Sequence, residues 1–299
     1  MDRLAAMSVF VTVVEAGSLS AAGRKLGMPL PTVSRKISEL ESHIRARLLI
    51  RSTRNLVLTD AGTSYLAACK RIIESVDEAE RQAMGEYSAP RGDLIIAAPI
   101  VFGRLHVVPI VAEFLKMYPD VDVQLVLNDR PLNLLENHID LAVRVGELPD
   151  SSLIAARVGQ IRHVVCASPR YLKEHGTPKV PQELVNHDCI NFTFAALSSA
   201  DVWIFRVGKS EISMRIRSRL VVNTAEAAID SAVAGLGLTR VLSYQVKKVA
   251  ESGALATVLT KFESAPMPIT LVYAGQRLLP LKLRAFLDFA TPRLRSRLQ

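Results

Sequence analysis

Apolar residues recur at three- and four-residue steps through the first eighty positions, and at alternate or consecutive positions in short runs beyond about position 92. The first spacing belongs to helices that bury one face and the second to strands, so the chain divides into a helical part and a mixed part. Leu4, Met7, Val11 and Val14 repeat at helical spacing and predict a packing helix, in spite of a superficial likeness to a secretion leader. Ser18 and Ser20 are candidate caps of a short second helix. Its Ala21, Ala22 and Leu26 suit a closely packed face, and Gly27 can end it in the left-handed conformation. Pro29 and Pro31 prevent continuation. A third helix therefore starts near Pro31, with Val33, Ile37, Leu40 and Ile44 as its buried stripe.

Away from that stripe lie Thr32, Ser34, Arg35, Lys36 and Ser38, a short, polar, basic face. Such a face is either simply solvated or suited to a DNA groove, where Arg and Lys meet phosphates and guanine edges. The next segment favours the groove: Arg45, Arg47, Arg51 and Arg54 flank apolar residues that can form a two-stranded wing ending at Leu56, Val57 and Leu58. Between Arg24 and Arg54 eight Lys or Arg stand against two Glu, a local surplus of the kind a DNA footprint needs. The overall charge of +8 and pI of about 9.6 add little. The first ninety residues hold twelve basic and ten acidic groups, and much of the excess lies elsewhere, including the tail from Arg277 to Arg297.

Asp60 is placed to cap a long helix reaching about Glu86. Along it Tyr65, Cys69, Ile72, Val76, Ala79 and Ala83 alternate steps of four and three, a heptad seam that implies a partner helix from a second copy or, alternatively, packing on the protein's own body. A short hinge, YSAPRG, follows. The pattern then predicts strands at 94–98, 121–127 and 139–145 with a helix at 104–118, and a second group with a strand at 163–167, a helix from Pro169, irregular β structure at 203–222, a helix at 224–234, strands at 236–241 and 269–274, and a helix from Pro280. This is α/β patterning with a largely parallel sheet, long enough for two lobes.

Ligand chemistry is expected where strands turn into helices, because a helix start offers unpaired N–H groups. Pro99, Ile100, Val101 and Phe102 form one such turn; Asn223 and Thr224 form another, with Asn223 and Glu226 at capping-box spacing. The bland alternative is that these residues merely finish helices. Asn128, Arg144, Thr193 and Leu236 stand at other strand ends, with Arg144 the best partner for an anion or else a surface ion-pair residue. Catalytic and metal residues are expected to be none: the six histidines lack ligand spacing, no GxSxG or phosphate loop occurs, and GLGL at 235–238 reads as tight packing. No cofactor is implied. Cys69, Cys166 and Cys189 are odd in number and far apart, which suggests reduced, buried thiols in a cytoplasmic protein, and no apolar run approaches membrane-spanning length.

Ala22, Arg24, Leu26, Ser34, Arg35, Ile37, Leu40 and Glu41, followed by Leu48, Arg51, Arg54, Leu58, Thr59, Ala61 and Gly62, resemble the winged helix-turn-helix of LysR-type transcriptional regulators. Where that family usually closes the recognition helix with Gly this chain has Arg45, and where it often has Phe in the wing this chain has Leu49. GDLIIAAP, IDLAVRVG and AVAGLGLTR extend the resemblance to the family's effector domain, which is similar to type 2 periplasmic solute-binding proteins. The resemblance implies an α+β multidomain chain: a DNA-binding domain at 1–59, a dimerising linker helix at 60–88, and a two-lobed α/β domain at 91–299. One lobe would take 91–160 and 267–299, and the other 161–266. It further implies a homodimer or homotetramer on promoter double-stranded DNA, with RNA polymerase as a further partner. Pro31, Thr32, Ser34, Arg35 and Lys36 would meet the groove, and Arg51 and Arg54 the phosphates. The two turns would face each other across a cleft that takes a small-molecule effector, most plausibly a carboxylate. Two rivals are an enzyme or solute-binding protein, which turnover of a small acid would reveal, and an architectural DNA-binding protein, which would show little sequence preference.

Overall fold

The computed structural model describes residues 2–51, 56–83, 89–148, 153–193, 201–275 and 279–298. It separates into two units, Met1–Gly92 and Asp93–Gln299. The first contains α1 (Arg3–Glu15), α2 (Leu19–Leu26), α3 (Leu30–Ile44), the strands β1 (Leu49–Arg51) and β2 (Leu56–Leu58), and α4 (Asp60–Ala83). Helix α1 packs against α2, α3 and α4, so its buried face is centred on Ala6, Val9, Phe10 and Val13. The expected stripe is one step off: Leu4 is exposed, and Met7, Val11 and Val14 form half-buried margins.

Ser18 caps α2 by accepting the Ala21 N–H at 3.1 Å, and Gly27 closes it at φ +64°. In α3 Val33, Ile37 and Leu40 are buried as expected. The helix ends at Arg45 with φ 54° and ψ 35°, the left-handed cap that normally falls to glycine. The Ala46 N–H turns back to the Glu41 carbonyl at 3.2 Å and the Arg45 N–H to Ser42 at 3.3 Å, so this Schellman turn forms around an arginine. Strands β1 and β2 pair antiparallel with Leu49 opposite Leu58, which is the expected wing. Thr59, rather than Asp60, caps α4: its Oγ1 accepts the Gly62 N–H at 2.9 Å while donating to the Arg47 carbonyl at 2.7 Å. The expected end near Glu86 lies outside the described residues.

The second unit is built on two five-stranded sheets. The first has the order β4 (Val121–Leu127), β3 (Gly92–Ala98), β5 (Leu141–Val145), β14 (Met267–Ala274), β6 (Leu153–Ile161). The second runs β11 (Arg217–Val222), β8 (Asp188–Phe192), β12 (Leu238–Leu242), β7 (His163–Ala167), β13 (Ala256–Val258). Both sheets are mixed, which corrects the expectation of a largely parallel one. β3/β5, β8/β11 and β8/β12 are parallel, whereas β14 runs antiparallel to β5 and β6, and β7 to β12 and β13. The antiparallel members follow from the chain crossing between sheets twice, from β6 into β7 and back into β14, where Met267 pairs with Ile161. Arg162 and Glu263 tie the two crossings together at 2.8 Å.

After β3, one helical run comprises α5 (Ile100–Phe102), a π-helical turn (Gly103–Val107) and α6 (Val108–Met117). The helix thus begins at Ile100, not at Arg104. With α10 (Leu281–Arg297) it covers one face of the first sheet around Phe114, Phe286 and Phe289. The second sheet carries α7 (Pro169–His175), α8 (Ala225–Val233) and α9 (Ser243–Glu251). A hairpin of β9 (Val202–Val207) and β10 (Ser210–Arg215) buries Trp203 and Phe205 against it. Gly237 lies so close to strand β8 that a Cβ there would sit 2.3 Å from the Asp188 carbonyl oxygen, so tight packing accounts for this glycine of GLGL, whereas Gly235 stands at φ +87°, in the left-handed region. The three cysteines are free and fully buried.

Candidate nucleic-acid interface and ligand cleft

In the first unit the buried stripe of α3 sets what remains outside. The Arg35 side chain is 72% exposed and makes a loose contact to Glu39 at 3.9 Å one turn on. Pro31 is exposed, and Thr32, Ser34 and Lys36 are half-buried beside it, so the predicted residues share one region of α3. Arg51 belongs to β1 but its side chain, like all of Arg54, lies outside what is described. Arg24, Lys25, Arg45 and Arg47 add exposed charge.

Glu41, in the sequence an acid amid this surplus and one of the residues that carry the resemblance, has a constructive part. Its Oε1 accepts the Leu48 N–H at 2.8 Å and the Leu49 N–H at 3.1 Å, pinning the start of the wing to α3. Two donors at one oxygen also spend its charge locally.

The seam on α4 divides. Tyr65 lies 5.8 Å from the Phe10 ring and Cys69 is fully buried, so both belong to the first unit's own core rather than to a partner helix. Burial raises the Tyr65 hydroxyl to about 12 and the Cys69 thiol to about 11. Further along, Ile72 is 42% exposed, Ala79 is exposed and Val76 half-buried, while the Ala83 side chain is outside the described residues.

In the second unit the start of the Ile100 helix faces the starts of α8 and α9. The Phe102 ring lies 5.4 Å from Tyr244 on α9 and 4.8 Å from His106, and His106 lies 5.7 Å from Tyr244. Arg104 pairs with Glu226, in the first turn of α8, at 3.4 Å. The two predicted turns are therefore brought together. Val101 and Phe102, however, are core residues, and only Pro99 and Ile100 reach the surface of their turn.

Each turn already has one N–H engaged by a side chain of the chain itself. The Ile100 N–H donates to Asp129 Oδ1 at 3.0 Å, which sets a carboxylate beside that helix start. Burial, with Glu226 adding, raises the Asp129 carboxyl above the usual range although the Ile100 N–H pulls it down. On the other side Thr224, not Asn223, caps α8, its Oγ1 accepting the Ala227 N–H at 3.3 Å; Asn223 is exposed, and Glu226 serves Arg104 instead of a capping box. Asp129 and Thr224 thus each take one first-turn N–H of the two helix starts.

Asn128 ends β4, its N–H reaching Ala98 O at 3.0 Å and its Oδ1 taking the Arg130 N–H at 2.9 Å. Thr193 joins Val222 at 3.0 Å, beside Asn223. Leu236 is a correction: it packs among Ala228, Ile229 and Ala232 at the end of β12 remote from Leu242, the residue that meets the first sheet's core. Arg144 stands level with Pro99 by the β3/β5 register. Its Nη2 donates to the Leu132 carbonyl, and burial lowers its pKa with no carboxylate among the described residues to offset it. Opposite it on β14, Thr270 is buried, with no partner for its Oγ1 among the described residues. The residues sequence reasoning missed, Asp129, His106, Tyr244 and Glu226 as a pair for Arg104, act through contacts across many positions of chain.

The Bacterial regulatory helix-turn-helix protein, lysR family, model matches residues 4–63, and the LysR substrate binding domain model matches residues 88–295. An HTH-type transcriptional regulator of Xanthomonas campestris is 37% identical over 292 residues, 96% of this chain and 84% of its own length. The HTH-type transcriptional activator AaeR of Escherichia coli is 32% identical over 97% of this chain and 94% of its own. Among solved structures, CrgA of Neisseria meningitidis, a LysR-type transcriptional regulator, is 32% identical with a TM-score of 0.62, covering 97% of this chain and 98% of its own. With matches spanning both units, this chain belongs to the LysR family of transcriptional regulators and is not an enzyme.

Proposed function

We propose that the chain reads promoter DNA with the α3 residues Pro31, Thr32, Ser34, Arg35 and Lys36, with Arg51 and Arg54 of the wing on flanking phosphates. The observation that carries this is the exposure of Arg35 beside half-buried Thr32, Ser34 and Lys36 on a helix whose other face is core. The domains would run 1–59, 60–88 and 91–299, and the assembly would be a dimer built along Ile72, Val76, Ala79 and Ala83, paired again into a tetramer in the cytoplasm. RNA polymerase would be met at the promoter. The effector would sit in the second unit between Pro99, Ile100, Asn128, Thr193, Asn223 and Thr224, with an acidic effector favoured on the side of Arg144, whose desolvated guanidinium has no carboxylate partner among the described residues.

The test is fluorescence anisotropy with the DNA upstream of the chain's own gene, at two salt concentrations, against a scrambled duplex of equal length. The reading expects a preference of about a thousandfold or more, much reduced by Arg35→Ala. Equal, salt-sensitive binding to both duplexes would leave only phosphate contacts and would overturn this assignment of the recognition face for that site.

A further inference from the structure

We propose that Arg240 anchors a second site, one that binds an oxyanion such as sulfate, phosphate or a small carboxylate, on the sheet formed by β7, β8, β11, β12 and β13. Arg240 lies on β12 opposite Val165 of β7. It falls on the same side as Leu238, the side covered by Trp203 and Phe205 of the β9/β10 hairpin. Arg240 is half-buried, and among the described residues its guanidinium gives one hydrogen bond, from Nη2 to Ser264 Oγ at 3.3 Å. That hydroxyl passes its own proton to the Ile204 carbonyl at 3.0 Å, so Ser264 is used on both sides.

Among the described residues no carboxylate comes within 4.0 Å of Arg240. Glu211 on β10 is the acid it feels, from beyond that distance, and nearby Glu263 is committed to Arg162 at 2.8 Å. Burial outweighs Glu211 and pulls Arg240 down to about 10. His163, at the start of β7 and two residues before Val165, is held down to about 4 by burial and by Arg240 itself. The cluster is therefore a desolvated cation with spare N–H donors beside a neutral imidazole.

Buried charges in folded proteins are normally paired, since desolvation is repaid only by a close counter-charge. Among the described residues Arg240 has no carboxylate within 4.0 Å, and Glu211 acts on it only from farther away. A forked guanidinium presents two parallel N–H groups, which match two oxygens of a planar or tetrahedral oxyanion. The site is distinct from the Arg144 side of the cleft, which belongs to the other sheet, and it does not depend on the effector reading.

The test is thermal unfolding of the full chain in sodium sulfate, phosphate or benzoate against sodium chloride at equal ionic strength, with wild type, Arg240→Met, Arg240→Lys and Arg144→Met. The expected result is a Tm gain of roughly 5 °C over chloride at saturating anion in wild type and Arg144→Met. Arg240→Met should lose the gain, and Arg240→Lys, which keeps the charge without the fork, should lose at least half of it. Which of the three anions gives the gain separates tetrahedral from carboxylate ligands. An equal gain in wild type and both Arg240 variants would mean general salt exclusion and would overturn the proposal. So would a gain that Arg144→Met abolishes, or no gain in wild type with any of the three.

Discussion

Glu41 Oε1 lies 2.8 Å from the Leu48 nitrogen and 3.1 Å from that of Leu49, so a single carboxylate joins the recognition helix to the first strand of the wing. Replacing it by Ala leaves two backbone donors without their acceptor at a half-buried position, which costs about 1 to 3 kcal/mol. Glu41→Gln keeps a neutral acceptor and should lose less. The expected outcome is a lower urea midpoint for Glu41→Ala, with Glu41→Gln between it and wild type. DNA affinity should fall more than removal of an acid beside basic residues would suggest, because that removal alone would raise it.

That bond also marks where sequence reasoning stopped. The buried stripe of α3 was legible because Val33, Ile37 and Leu40 alternate with polar residues, so only one phase fits. In α1 nearly every residue from Leu4 to Val14 is apolar or small, and the phase was set by three neighbouring helices that periodicity does not reveal. Strand β6 mixes exposed and buried positions without strict alternation, and the following β7 was found while β6 was not. In the cleft the two turns were found from local signals. Their electrostatics were not, because Asp129 reaches Ile100 across 29 positions and Arg104 reaches Glu226 across 122.

Arg45 holds the left-handed cap of α3 at φ 54°, where a side chain with a Cβ is strained by about 1 kcal/mol or somewhat more. Arg45→Gly should therefore raise stability by roughly 1 kcal/mol, seen as a higher urea midpoint at unchanged slope. If the exposed Arg45 also meets a phosphate, the same variant binds DNA with a salt dependence weaker by about one ion. Stability and affinity would then move in opposite directions, which a purely structural role for the arginine would not produce.

The division of the α4 seam separates two substitutions. Ile72 is 42% exposed, so Ile72→Glu should leave the fold intact by circular dichroism and shift the sedimentation of the chain from dimer toward monomer at micromolar concentration. Cys69 is fully buried against α1, and Cys69→Ser places a hydroxyl in an apolar core at a cost of about 1 to 3 kcal/mol. It should lower the unfolding midpoint, with association falling only as the fold does. A folded Ile72→Glu chain that still sediments as a dimer would place the interface elsewhere.

His106 connects the cleft to pH. Its Nε2 is buried with no hydrogen-bond partner among the described residues, its ring packs against both Phe102 and Tyr244, and burial, together with Arg297 and Lys247, holds it down to about 4 from an ordinary 6.5. Between those two values the unfolded chain takes up a proton that the folded chain refuses, so stability present above pH 6.5 is lost as the pH falls toward 4. Discounted for partial exposure, the loss is roughly 1 to 2 kcal/mol by pH 5. His163, also held down to about 4, adds a similar slope from a different part of the same unit. His187 is lowered by burial as well, and His106→Phe removes the His106 share alone. Urea unfolding at pH 7.5 and pH 5 should show wild type losing more stability than His106→Phe, the difference being the share of this one imidazole. Equal losses in the two proteins would mean that His106 is already charged or already open to water in the folded chain. A proton entering the cleft would then carry no consequence for how its two sides hold together.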